Sequence, residues 1–514
     1  MSGLDIPETV GAATVTGWSD DVDVVVIGFG IGGGCAAVTA AATGARVLVL
    51  ERAAVAGGTT ALAGGHFYLG GGTAVQQATG HPDSAEEMYK YLVAMSREPE
   101  HDKIRAYCEG SVEHFNWLED LGIAFERSYY PEKAVIQPGT QGLMYTGNEK
   151  VWPYRDMAAP APRGHKVPVP GDTQGAAMVI DLLVKRAADL DIEIRYETGA
   201  TNLVTQDGHV VGVSWKRFGE TGTIRARAVV IAAGGFVMNP EMVAKFTPEL
   251  AEKPFVLGNT YDDGLGIRLG VSAGGATKHM EQSFITAPVY PPAILLTGLI
   301  VNKLGRRFVA EESYHSRTAG FVMEQPDHAA FLIVDEDHLQ RPEFPLIKFI
   351  DGYETVAEME TALGIPAGNL VATLENYNKH AAVGADPEFH KQPEYLAPQD
   401  KAPWAVFDLS LGKAMYSGFT VGGLATNVDG QVLRADDQVI DGLYAAGTCA
   451  SNIAQDGKGY SSGTQLGEGS FFGRRAGAHA AAGADDTAHA AAGADDTAHA
   501  AAGADDTAHA ARHT

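Results

Sequence analysis

Residues 22–52 read VDVVVIGFGIGGGCAAVTAAATGARVLVLER. The continuous apolar run Val24–Ile27 is followed by Gly28, Gly30 and Gly33 in GxGxxG spacing. Small residues continue to Ala42, and a second apolar run, Val47–Leu50, ends at Glu51. The order is strand, tight turn, helix, strand. Gly28 permits the turn, Gly30 lets the backbone approach a pyrophosphate, and Gly33 lets helix and strand pack closely. The helix N-terminus offers unpaired N–H groups and a partial positive charge to that pyrophosphate. Glu51 stands where a carboxylate accepts from adenosine ribose hydroxyls. A bare GxGxxG says little in a glycine-rich chain. Here strand, helix and acid are all in place, so the stretch predicts a dinucleotide-binding unit.

The sequence beyond it supports that unit. Gly57-Gly58 and Gly64-Gly65 flank Thr59-Thr60. Glycine costs backbone entropy, so this density predicts a loop wrapped around a flat cofactor, with hydroxyls toward phosphates. Residues 85–124 carry apolar side chains at helical spacing. Residues 125–172, rich in Pro, Gly and Tyr, read as a long irregular excursion of the kind that lines sites. A helix over 171–190 follows, then a strand, then a hairpin turning at Asp207-Gly208. ARAVVIAAGGF at 226–236 is a buried strand running into a Gly-Gly turn, and GLYAAGTCAS at 442–451 repeats the pattern.

Bulk properties narrow the class. A length of 514 residues predicts two domains with interleaved segments. Hydrophobic content of 45% and charged content of 20% are those of a globular enzyme. A formal net charge of −26 argues against nucleic acid, which needs clustered Lys and Arg. Cys35, Cys108 and Cys449 are far apart, with no CxxC or metal spacing, so no metal site is expected. The absence of a disulfide framework points to a reducing cytoplasm. The N-terminus lacks a signal-peptide pattern and no run of 18 apolar residues occurs, so no membrane span is expected. AAGADDTAHA occurs three times over 481–510. A ten-residue period advances a helix about 80° short of three turns. With no large apolar residue, the segment 481–514 is expected to be a disordered tail.

The fingerprint at Gly28–Glu51 is followed by GGTTALAGG, VVIAAGGF, YDDGLGIRLG at 261–270, VNKLGRRFVAEE at 301–312, TVGGLATN at 420–427, and GLYAAGT. In this order the chain resembles the FAD-dependent fumarate reductase, succinate dehydrogenase and 3-ketosteroid dehydrogenase family. The likeness runs from about residue 20 to 480. It implies an α/β architecture: a Rossmann-like FAD-binding domain (1–284 and 416–480) interrupted by an α+β capping domain (285–415).

The resemblance also places a site. Dicarboxylate enzymes of this family clamp two negative charges with arginine and histidine. At the corresponding positions this chain has Tyr460 for one arginine, Gly418-Phe419-Thr420 for a His-His-Thr run, and His315 beside Tyr314 for the acid/base arginine. A pocket of Tyr, Ser and Phe suits a neutral, apolar substrate with one polar handle. The steroid dehydrogenases of the family act through tyrosines. The implied reaction takes a proton α to a ketone and delivers a hydride to the flavin. Tyr460 would polarise the ketone, and Ser462 and Tyr314 would take and relay the proton. GYSSGTQLG at 459–467 departs from the glycine-richer stretch of the 1-dehydrogenases. It resembles more closely the branch that forms the carbon 4–5 double bond of 5α-reduced 3-ketosteroids. The alternatives are a 1-dehydrogenase and an enoate or fumarate-type reductase.

For FAD the resemblance implies Gly28, Gly30 and Gly33 at the pyrophosphate and Glu51, with Arg52, at the ribose. Gly58, Thr59, Thr60, Gly64 and Gly65 wrap phosphates and isoalloxazine. Ala200 lies by the adenine, and Ala233, Gly234, Asp263 and Gly447 lie along the dinucleotide and ribityl chain. Gln465 and Leu466 offer N–H groups to the pyrimidine carbonyl. His66 follows the second Gly-Gly pair, where some members attach FAD covalently; noncovalent binding is expected. There is no CxxCH for heme and too few cysteines for an iron–sulfur cluster, so electrons are expected to leave to an external acceptor.

Overall fold

A computed structural model describes residues 1, 3–171, 174–251, 255–451 and 453–483. The stretch 22–52 folds as a strand, Asp20–Ile27, a helix, Ile31–Ala42, and a strand, Val47–Leu50. These strands lie parallel, with Val24 opposite Val47 and Ile27 opposite Leu50. Glu193–Arg195 extends the parallel set on one side; Glu220–Ile231 and then Val439–Ala445 extend it on the other.

Both faces of this sheet are covered, which is why its central strands read as unbroken apolar runs rather than alternations. Val24, Val26 and Val49 face one core with residues of helices Ile31–Ala42, His101–Asp120 and Gly175–Asp189. Val25, Ile27, Leu48 and Leu50 face a second core with Leu203, Val213, Ile267 and Leu443.

Gly199–Gln206 and His209–Arg217 form the expected hairpin. Asp207 and Gly208 take φ of +52° and +84°, as a tight turn requires. The strand expected from 226 starts earlier, at Glu220, because its first half pairs antiparallel with His209–Arg217. The stretch 125–172 is less irregular than its composition predicts. Leu143–Met144 and Gly164–Lys166 form a small antiparallel sheet with His66–Tyr68.

The fold is α/β with a separate cap. The cap's centre is a four-stranded antiparallel sheet of Leu299–Asn302, Ala330–Val334, Trp404–Asp408 and Lys348–Tyr353. Helices His315–Val322, Val356–Leu363 and Asn369–Ala381 pack on its faces. Arg307 is buried there between the carboxylates of Glu311 and Asp386, at 2.8–2.9 Å. The last described helix runs over 464–483, so helix continues past the expected start of the tail at 481. Residues 484–514 of that tail lie outside the described residues.

Candidate active site

A cavity of about 610 Å³ opens at the carboxyl ends of the parallel strands, where open α/β sheets bind ligands. Gly28, Gly30, Glu51, Arg52, Gly58, Thr59, Thr60, Gly64, Gly65, Ala200, Ala233, Gly234, Asp263, Gly447, Tyr460, Ser462, Gln465 and Leu466 all line it. Two expected residues do not: Gly33 and Tyr314.

Gly28 takes φ +94°, and a Cβ there would fall 2.5 Å from the Ala232 carbonyl oxygen. Gly33 packs behind it. A Cβ on Gly33 would meet the Gly28 carbonyl oxygen at 2.0 Å, so helix and turn pack as closely as the spacing predicts. Helix Ile31–Ala42 starts at Gly30 with no side-chain cap. The Ile31 N–H donates to the Thr60 hydroxyl at 3.0 Å, which brings that hydroxyl to the helix end.

Glu51 is buried and accepts from the N–H groups of Phe29 and Ala53, both at 2.8 Å. Burial pushes its carboxyl above the usual range, against these bonds. Arg52 pairs with Asp263 at 2.6 Å and sits 4.6 Å from the Tyr261 ring centre. The Thr59 hydroxyl donates to Asp262 and accepts from Asn259 N–H. Burial raises the Asp262 carboxyl to about 6.

At the other end lie His66, Ile136, Phe419, Tyr460, Ser462 and the start of helix 464–483. His66 Nε2 is 2.7 Å from Gln137 Oε1, and burial lowers its pKa to about 4, so the ring is neutral. Both polar atoms of the Gln465 side chain are buried without a protein partner. Buried amides are normally paired; a flavin ring edge would supply suitable groups here. Together with the helix end at Gly30 and the glycine-walled turn, this cavity fits FAD.

Behind Ser462 the structure brings the three expected hydroxyls together. Tyr314 is the N-cap of helix His315–Val322, and the Ser462 side chain lies close enough to act on its phenol. Its ring centre is 6.5 Å from that of Tyr460. Burial holds both phenols above their usual range.

Strand Ser283–Thr286 pairs with Ser417–Thr420 in a register that sets Phe284 opposite Phe419. Their rings stack at 4.5 Å, and Phe284 meets the Tyr460 ring edge-on at 4.7 Å. His315 Nδ1 is 2.5 Å from the Thr286 hydroxyl, and burial lowers this ring to about 3. Among the described residues lining the cavity, Arg52 is the single arginine, and it lies on the dinucleotide side. The aromatic end therefore suits an uncharged ligand.

The sequence pattern does not single out Asp262, Phe284 or Asn148. Asp262 adjoins the expected Asp263, and that doubling is the available signal. Phe284 becomes visible only through strand register. Asn148 lies in the stretch 125–172, yet its Oδ1 accepts from Tyr314 N–H at 2.8 Å.

The family profile described as FAD binding domain matches residues 23–470. The chain belongs to that family of FAD-binding oxidoreductases. It is similar to a solved structure, the 3-ketosteroid-delta4-(5alpha)-dehydrogenase of Rhodococcus jostii RHA1 in complex with 4-androstene-3,17-dione. The identity is 41%, the match covers 92% of this chain and 99% of that one, and the TM-score is 0.87. Urocanate reductase of Eggerthella lenta is 30% identical over 465 residues, 85% of this chain and 71% of its own. The 3-oxo-5-alpha-steroid 4-dehydrogenase of Comamonas testosteroni is 27% identical over 511 residues, 85% of this chain and 94% of its own.

Proposed function

We propose that this protein oxidises 5α-reduced 3-ketosteroids to 4-ene-3-ones, removing a proton from carbon 4 and a hydride from carbon 5. The observation that carries this is the cluster of buried Tyr314 and Tyr460 with half-buried Ser462 against an aromatic wall that has no arginine among the described residues. The likeness to the Rhodococcus dehydrogenase over 92% of the chain supports it.

FAD, when bound along the cleft, supplies the hydride acceptor. Thr60, Gly28 and Gly30 would hold its pyrophosphate, Glu51 its ribose and Gln465 its ring edge, noncovalently. Tyr460 donates to the 3-ketone oxygen and stabilises the negative charge that grows there. The carbon 4 proton leaves through the Ser462 and Tyr314 hydroxyls, each releasing its own proton as it takes one up, with solvent as the final acceptor. Loss of hydride from carbon 5 completes the double bond. Phe284 and Phe419 exclude water from the reacting carbons. The segment 285–415 closes over the substrate as the cap, and electrons leave to an external acceptor.

We place the enzyme in the cytoplasm on its three free, buried cysteines; among the described residues no helix is long and apolar enough to cross a membrane.

Turnover of 5α-androstane-3,17-dione with an artificial acceptor tests the reading through its product. A 4-ene is expected. A 1-ene would move the activity to the neighbouring bond, and no product would refute the proposal.

A further inference from the structure

We infer that Asn148 is a positioning residue that sets the spacing of the Tyr314–Ser462 hydroxyl pair. The two hydroxyls come from distant parts of the chain. Tyr314 precedes a helix of the cap, and Ser462 precedes helix 464–483 of the FAD-binding part. A proton passes between them only if the oxygens stay within about 2.6–3.2 Å.

The strap Thr146-Gly147-Asn148 ties both backbones at once. The Thr146 carbonyl accepts from Ser462 N–H at 2.8 Å. Asn148 Oδ1 accepts from Tyr314 N–H, also at 2.8 Å. The strap is itself pinned: Asn148 N–H donates to the Tyr91 hydroxyl at 2.8 Å, which lies 3.0 Å from Ser461 Oγ. Gly147 lets it lie this close. A Cβ there would fall 2.2 Å from Ser461 Oγ and 2.6 Å from the Tyr91 hydroxyl.

Asn148 is fully buried, and its Nδ2 has no protein partner. An unpaired buried donor destabilises, so packing alone does not account for an amide here. Its acceptor oxygen, aimed at the Tyr314 backbone, does.

The kinetic part of the test rests on the proposed steroid reaction; the exchange part does not. FAD-loaded wild type, Asn148→Ala and Asn148→Asp are compared by hydrogen–deuterium exchange of the peptide containing Tyr314. They are also compared by the rate of anaerobic flavin reduction with 5α-androstane-3,17-dione in H2O and D2O. Asn148→Ala should exchange faster at Tyr314. It should reduce its flavin about tenfold to a hundredfold more slowly, the scale of a 1 Å misplacement. Its steroid Kd should stay near wild type and its solvent isotope effect should rise. Asn148→Asp retains the acceptor oxygen and should recover most of the rate.

Wild-type exchange and rate in the alanine variant, or an aspartate variant as slow as alanine, would overturn the inference. Tyr91→Phe unpins the strap and serves if the alanine variant folds poorly. A several-fold loss of rate supports the inference, and a wild-type rate overturns it. If wild-type flavin is not reduced by the steroid, the proposed function has failed, and the exchange data alone decide the role of Asn148.

Discussion

Removing the hydroxyl of Tyr460 should slow steroid oxidation while leaving the surrounding pocket in place. The ring is 6% exposed and is held by contacts that Phe retains: Phe284 at 4.7 Å, Phe419 at 5.7 Å and Tyr314 at 6.5 Å. In Tyr460→Phe only one oxygen is lost. A hydrogen bond made by such a hydroxyl is worth about 0.5–1.5 kcal/mol to stability, too little to unfold the site. The catalytic loss is larger, because the hydroxyl bonds most strongly to the charge that develops on the ketone oxygen. One missing donor of this kind costs about 10²–10³ in rate, or about 2.7–4 kcal/mol of barrier. Stopped-flow reduction of the flavin by 5α-androstane-3,17-dione under anaerobic conditions measures it, with flavin content and steroid Kd as controls. The expected result is that fall in the limiting rate with Kd nearly unchanged. A limiting rate within about threefold of wild type, far under the loss expected of a polarising donor, would refute the role of Tyr460.

Four further outcomes are expected. Burial holds the Glu468 carboxyl near 8 rather than its ordinary 4.5. The unfolded chain therefore ionises first, and the folded state loses up to about 1.4 kcal/mol per pH unit as pH rises between those values. Glu468→Gln should thus gain melting temperature relative to wild type from pH 5 to pH 8, and a pH-independent difference would contradict this. Arg307→Ala should cost about 3–5 kcal/mol in denaturant unfolding by removing the arginine partner of buried Asp386 and leaving buried Glu311 with Lys391 as its cation; a loss under about 1 kcal/mol would not fit that burial. Gly33→Ala drives a Cβ to 2.0 Å from the Gly28 carbonyl oxygen, so the turn must shift and the purified protein should carry substoichiometric flavin; full loading would count against it. Acid precipitation should release all flavin to the supernatant, because His66 Nε2 is committed to Gln137; yellow pellet protein would show a covalent link.

The dinucleotide turn is legible because it is local: strand, turn, helix and acid fall within one short stretch. The hairpin at Asp207-Gly208 is legible for the same reason, since two adjacent residues alone supply its positive φ angles. Pairing overrides pattern where contacts are distant. The strand starting at Glu220 opens on ETGTIR, a weak strand sequence by composition, and is held extended by pairing with Arg217–Gly212 and, from Ile224, with the strand starting at Asp20. The same limit applies to the site. Tyr460 and Ser462 carry a signal through their place before the last helix. The approach of Ser462 to Tyr314, and the strap through Asn148 that ties both backbones, join residues that no spacing rule connects. Gly33 is legible in the way the dinucleotide turn is: its spacing predicts close packing, and a Cβ there would meet the Gly28 carbonyl oxygen at 2.0 Å.

The most direct test of the account is an anaerobic titration of the purified yellow protein with 5α-androstane-3,17-dione, following flavin absorbance and identifying the steroid formed. The account expects stoichiometric bleaching of the flavin and a 4-ene-3-one product. A flavin that stays oxidised with the steroid, while the dithionite-reduced protein is reoxidised by fumarate or another enoate, would contradict it.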